Sequence, residues 1–191
     1  MKKIISVRQS GESLVVLKIR DEDKLLSYTV NKVTYASLGS PVPQYELSDE
    51  ELSEIVREDE IHRALKRSLS ILSYSDVSES ALRVKLRRSG FSREAVDEGV
   101  RECVMRGYLD EDRQLRRFIT REACEGFRGP YFIRKKLMSK GYSASRISSV
   151  MSDLTSSGEV DFREIFSQLC DREEVKGEDR LALAYKRGFK A

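Results

Sequence analysis

The chain has 191 residues, of which 39% are hydrophobic and 35% charged, with a formal net charge of +3. A charged share above the usual quarter or so fits a thin helical array with much surface per residue better than a compact globule. No apolar run approaches the roughly 18 residues of a membrane span, which excludes a helical integral membrane protein, and Met1 to Val7 is too short and mixed for a secretion signal.

Three short strands are predicted first: Ile4 to Val7, Leu14 to Ile19, and Leu25 to Val30, each short, apolar and partly β-branched. Three strands with one apolar face need a partner to pack on. Gly39-Ser40-Pro41-Val42-Pro43 then reads as a break. From Ser48 onward helix starts share one recipe. Ser48 and Glu51 form a capping box, with Leu47 able to staple to Leu52. Ser78, Ser92 and Ser143 each follow an apolar residue and precede another four residues on, so each can cap a helix. Gly90, Gly107, Gly141 and Gly158 sit where a helix ends in positive φ, and Pro130 suits a first helical turn. The predicted helices are 49–58, 60–74, 79–89, 93–106, 111–126, 130–140, 144–157, 162–171 and 178–187.

The chain also repeats itself. Leu86-Arg87-Arg88-Ser89-Gly90-Phe91-Ser92 returns 51 residues later as Leu137-Met138-Ser139-Lys140-Gly141-Tyr142-Ser143, and Gly107 and Asp110 return as Gly158 and Asp161. A fixed period with apolar and glycine positions in register indicates one helical unit used repeatedly. The fold class expected is mainly α, with tandem three-helix repeats in an extended array and a small N-terminal β-element. Five segments follow: a β-rich extension at 1–45, an acidic connecting helix at 46–59, repeats at 60–109 and 110–159, and a truncated third repeat at 160–191.

Catalytic chemistry is hard to build here. His62 is the single histidine, which leaves no histidine triad or multi-histidine metal site. It lies beside Ile61, Leu65 and Leu69 and reads as structural. No phosphate-cradling glycine motif occurs. Asp110 and Asp112 open a helix, where they complement its dipole. Cys103, Cys124 and Cys170 are odd in number and widely spaced, which suits reduced thiols in a cytosolic protein. No enzyme activity, metal or cofactor is expected.

Charge distribution is the remaining signal. Glu46 to Glu60 carries eight acids and one base, whereas Arg113 to Arg146 carries ten bases and two acids, and Arg83 to Arg93 five bases and no acid. Arg83, Lys85, Arg87 and Arg88 fall on the middle helix of the first repeat. Arg134, Lys135, Lys136 and Lys140 fall on that of the second. Arg116, Arg117 and Arg121 belong to the helix before it. Such clustering is expected of a phosphate-facing surface, and a solvated helix face is the plainer alternative. Phe118, Phe127, Tyr131, Phe132 and Tyr142 lie among these cations. Phe91 and Tyr142 read as staple residues.

Residues 60–190 resemble the RecX family. The second repeat carries Phe118-x-x-x-Arg121 and then Gly126-Phe127-Arg128-Gly129-Pro130-x-x-Ile133-x-x-x-Leu137-x-x-Lys140-Gly141. Leu72-Ser73-Tyr74, Ser78-x-x-x-Leu82-x-x-x-Leu86 and Gly90-Phe91-Ser92 resemble the family's first repeat, Gly107-Tyr108-Leu109-Asp110-Glu111 its junction, and Arg187-Gly188-Phe189 its third-repeat turn. The resemblance implies a regulator of the RecA recombinase that docks in the RecA–single-stranded DNA filament and inhibits its ATPase and strand exchange. It implies single-stranded DNA as a partner, with double-stranded DNA a further candidate, no membrane partner, a monomer, and a cytoplasmic place in DNA repair, recombination and the SOS response. Two departures stand out. Ser75 and Val77 occupy loop positions where the family often has arginine, and the third repeat stops at Ala191. The alternative is a helical-repeat protein that binds nucleic acid without RecA.

Overall fold

The structure, a computed structural model, describes residues 2–189. Met1, Lys190 and Ala191, the outermost residues of the expected segments 1–45 and 160–191, lie outside the described residues. The fold is mainly α with a three-stranded N-terminal sheet, as the sequence leads one to expect. The chain divides into two compact units, one comprising Met1–Ser73 and Arg83–Arg106, the other Tyr74–Leu82 and Gly107–Ala191.

The first unit opens with β1 (Lys2–Ser10), β2 (Leu14–Asp21) and β3 (Lys24–Asn31), antiparallel in the order β1-β2-β3. Val15, Leu17 and Ile19 alternate inward along β2 and are buried, as a period of two requires. The register slips between Ile4 and Ser6, so that Ile4 pairs with Ile19 and Val7 with Leu17. One extra residue at that bulge turns both Ile4 and Val7 to the same face, three positions apart though they are. The sheet packs on a helix: Ile4, Val15, Leu17, Ile19 and Val30 form one core with Leu47 and Ile55, with Leu52 against it. A six-residue helix, α1 (Lys32–Ser37), follows β3, with Asn31 capping it by accepting from the Thr34 N–H at 2.8 Å.

The next helix differs from expectation. Instead of helices at 49–58 and 60–74, α2 runs unbroken from Asp49 to Tyr74. The acidic-to-basic change near residue 60 contains no glycine or proline, and Asp59, the one capping-type residue there, accepts instead from the Thr29 N–H at 2.8 Å and from Arg63 at 2.7 Å; charge alone does not end a helix. The capping box forms as read: the Glu51 N–H donates to Ser48 Oγ at 3.1 Å, and the Ser48 N–H to Glu51 Oε2 at 2.8 Å. The inner face also differs from the predicted stripe. Ile61, Leu65 and Leu69 are half-buried, as is His62, whereas Ala64 and Ser68 are fully buried. Helix α4 (Arg93–Met105) lies close because Gly99 faces the Ala64 and Leu65 backbone, where an added Cβ would stand 3.2–3.3 Å away. Helix α3 (Glu79–Arg88) contributes its Arg83–Arg88 half to this unit.

The second unit contains α5 (Glu111–Thr120), a π-helical turn (Arg121–Glu125), α6 (Pro130–Ser139), α7 (Ala144–Ser156), α8 (Phe162–Arg172) and α9 (Asp179–Arg187). Its core joins Leu115 and Ile119 of α5, Ile133 and Leu137 of α6, Ile147, Val150, Met151 and Leu154 of α7, and Phe189 after α9. Ser143 and Asp161 cap α7 and α8 through side-chain oxygens. The last turn closes back on α6: the Gly129 N–H donates to Arg187 O at 2.8 Å, and the Tyr131 N–H to Gly188 O at 3.0 Å. Gly188 has φ +81° and ends α9 in the left-handed region. Phe189 is thereby buried, its ring 4.9 Å from that of Phe166.

Candidate functional site

The predicted basic residues divide between the two units. In the first, α3 ends in Lys85, Arg87 and Arg88, all exposed, where cations complement the C-terminal end of the dipole. Among the described residues none of these three has an ion pair. Arg83 is different: it is half-buried and bound to Asp97 of α4, so it fastens α3 to α4.

In the second unit the other seven of the eleven candidates sort further. Arg134 and Lys135 on α6 are exposed and carry no ion pair among the described residues. They share a helix face with Tyr131 and Met138, exposed by 64% and 51%; residues three and four apart on a helix are neighbours. Arg116 points the other way along α5, to Asp153 at 3.6 Å and Glu159 at 3.5 Å. Arg117 is bound to Asp76. Arg121, Lys136 and Lys140 gather on the Phe118 ring, at 5.3, 5.4 and 5.6 Å from its centroid. A ring face attracts cations, and Glu122 offsets the crowding by accepting from Lys136 at 3.1 Å and standing 3.5 Å from Arg121. Lys136 lies over the Phe132 ring as well. It is therefore a packed residue, whereas its neighbours Arg134 and Lys135 are available to a partner.

Beside Phe118 lies a cavity of about 180 Å³, lined by Ser75, Asp76, Arg117, Arg121, Lys140 and Tyr142 among others. Tyr142 is buried at its rim, as a staple residue should be, and its hydroxyl donates to Gln114 Oε1 at 2.7 Å. Burial first, and then the nearby Asp76 and Glu111 carboxylates, push the Tyr142 phenol up to about 12. The Arg146 guanidinium, donating to Asp112 at 2.7 Å, holds that carboxyl below its ordinary range. Asp110 caps α5 by accepting from the Arg113 N–H at 3.0 Å. Both acids at this helix start thus have structural roles. Arg113 and Gln114, which line the neighbouring surface, are absent from the predicted set. The spacing Arg113, Arg117, Arg121 is a readable signal for one stripe of α5.

Among the described residues no group of histidine, cysteine and carboxylate side chains is arranged to hold a metal, and no helix is long and apolar enough to cross a membrane. Cys103 and Cys170 are buried and Cys124 exposed, all as free thiols. Burial pushes the Cys103 thiol up.

Fold and surface together define a class: a helical protein with an N-terminal antiparallel sheet, serine-capped and glycine-ended helices, and cationic helix faces. No protein-family model matches the chain. Curated proteins do. It is 26% identical over 119 residues to the regulatory protein RecX of Leuconostoc mesenteroides, covering 62% of this chain and 45% of that protein. It is 24% identical over 151 residues to that of Geobacillus kaustophilus, covering 79% and 52%. With RecX of a further Geobacillus species it shares 22% identity over 188 residues, 95% of this chain and 65% of the other. The chain spans about half the length of the curated relatives it matches. A crystal structure of regulatory protein RecX superposes over 100% of this chain and 95% of its own, with a TM-score of 0.69 at 18% identity. RecX from Lactobacillus salivarius superposes with 0.58 at 16% identity, over 69% and 90%. These structures share its fold. The sequence likeness to curated proteins named RecX agrees with the motifs of residues 60–190, and the solved structures match the fold.

Proposed function

We propose that this chain is a regulatory protein that binds the RecA–single-stranded DNA filament and inhibits RecA ATPase and recombinase activity, without catalysis of its own. The observation that carries this reading is the set of exposed cations with no ion pair among the described residues: Lys85, Arg87 and Arg88 on α3, Arg134 and Lys135 on α6. Charges already neutralised within the fold give little to a partner, whereas unpaired ones steer and hold a polyanion. The likeness to proteins named regulatory protein RecX supplies the regulatory role. The repeats at 60–109 and 110–159 would each present one such middle helix to the filament, as a monomer in the cytoplasm. The test is RecA-catalysed ATP hydrolysis on single-stranded DNA. Added stoichiometrically, this chain lowers the rate. An unchanged rate at excess protein overturns the proposal.

A second reading, nucleic-acid binding without RecA, is favoured by the cationic cavity beside Phe118. Affinity for bare single-stranded DNA with no effect on RecA would select it.

A further inference from the structure

The cavity beside Phe118 continues into a second one. That neighbour, of about 220 Å³, is lined by Tyr108, Asp110 and Arg113, and the two share Asp76, Gln114 and Arg117. They form one groove along α5. Its cations are in register: Arg113, Arg117 and Arg121 lie four residues apart, hence on one face, with about 6 Å of helix rise per step. That step is comparable with the separation of successive phosphates along an extended strand. Lys140 stands over the far end, 5.6 Å from the Phe118 centroid. Four cations face two lining carboxylates, Asp76 and Asp110, and Glu122 stands 3.5 Å from Arg121 beside the groove, so the balance stays positive at +1 with all three acids counted. Both lining acids are engaged, Asp76 by Arg117 and Asp110 by the Arg113 N–H. Arg113 and Lys140 have no ion pair among the described residues. One aromatic side chain lines each half: Tyr108, 53% exposed, and Phe118. A cationic trough with spaced aromatic rings is how sequence-tolerant proteins hold single strands.

We infer that the α5 groove, lined by Arg113, Arg117, Arg121 and Lys140, holds the sugar-phosphate backbone of single-stranded nucleic acid. The inference rests on the nucleic-acid part of the proposed function and gives it an address. A free nucleotide offers the same phosphate chemistry, but it fills one step of the stripe, whereas a strand fills successive steps. Ser75 also lines the groove, and the charge comes from Arg113 and Arg117 of α5, Arg121 of the turn after it and Lys140 at the end of α6.

The test needs no recombinase, so its failure is separate from failure of the RecA proposal. Binding of the full chain to a fluorescent oligo-dT strand, and to an abasic strand of equal length, is measured by anisotropy across a salt series. The variant R113Q/R121Q removes two groove cations and spares the Arg117–Asp76 pair. R163Q/K176Q removes two exposed cations elsewhere in the same unit. Each phosphate contact contributes about −0.7 to the log–log salt slope. The groove variant is therefore expected to lose about 1.4 from the slope and about 25-fold in affinity near 0.1 M salt. The control pair should keep the wild-type slope, and the abasic strand should bind with nearly the same slope as oligo-dT. K140Q, at the opposite wall, should lose about half as much, which covers the case that R113Q/R121Q folds poorly. Equal losses from both double variants would mean diffuse attraction and would overturn the inference. So would an unchanged slope in R113Q/R121Q and K140Q. Displacement of the strand by equimolar ATP or inorganic phosphate would assign the groove to free phosphates and overturn the strand reading.

Discussion

Gly129→Ala tests how the second unit is closed. Gly129 caps α6 with φ −77°, which any residue adopts, so backbone strain plays no part. The cost is steric. A Cβ at this position falls inside 3.0 Å of Gly188 C and O and of Phe189 N, all of them backbone atoms. The end of α9 must move away by roughly 1.3 Å or more before ordinary van der Waals contact is restored. That movement breaks the hydrogen bonds from the Gly129 N–H to Arg187 O and from the Tyr131 N–H to Gly188 O, each worth about 1 kcal/mol net. It also loosens Phe189, a buried ring whose full burial is worth about 1.5–3 kcal/mol. Partial loss of that burial brings the total to about 3 kcal/mol. For a chain of this size the melting temperature should fall by about 6–12 °C. Gly107→Ala is the comparison: φ is +70° and no atom lies within 4 Å, so only the left-handed penalty of about 1–2 kcal/mol applies. Thermal and urea melts of both variants decide the matter. A Gly129→Ala melt within about 0.5 kcal/mol of wild type, or milder than Gly107→Ala, would mean that the Gly129–Gly188 contact does not close this unit.

Other expectations concern charge and titration. Lys135→Glu should leave stability within about 0.5 kcal/mol, as exposed changes do, while Lys136→Glu sets a carboxylate against Glu122 and strips a cation from two rings, so its urea midpoint should fall by clearly more. Leu137→Ala, in the core beside Ile133, should cost about 2–5 kcal/mol in the same melt. Tyr142 is favoured in its neutral form by burial, so its contribution is complete below pH 10 and is lost as pH rises toward about 12. The energy linked to that displacement is about 3 kcal/mol, and Tyr142→Phe should therefore soften the alkaline loss of stability in denaturant melts. Asp112 is held ionised by Arg146, so that contribution is present above the ordinary Asp range and fades as pH falls through it. Arg146→Gln should flatten the acid limb of the stability curve.

Local signals were the most legible. Ser92 and Ser143 cap their helices, and Gly90, Gly107, Gly141 and Gly158 all take positive φ, because each device acts within one turn of chain. Strand positions were legible for the same reason, but the bulge that aligns Ile4 with Val7 was not, since it depends on pairing with β2. The break expected near residue 59 came from a change in charge, which carries no stop signal. The candidate cations were legible as a set but not by role. Whether Lys136 or Lys135 is free depends on where Glu122, Phe118 and Phe132 come together in the fold, and sequence spacing within α6 does not contain that. The junction of Gly129 with Gly188 joins positions 59 residues apart and became visible only in the fold.

The most direct test of the central claim is a titration of RecA ATPase on single-stranded DNA with wild-type protein and with a variant reversing Arg134 and Lys135 to glutamate. Graded inhibition by the wild type and a right-shifted curve for the variant are expected, with both proteins melting alike. Full RecA turnover at every concentration of the wild-type protein would contradict the claim.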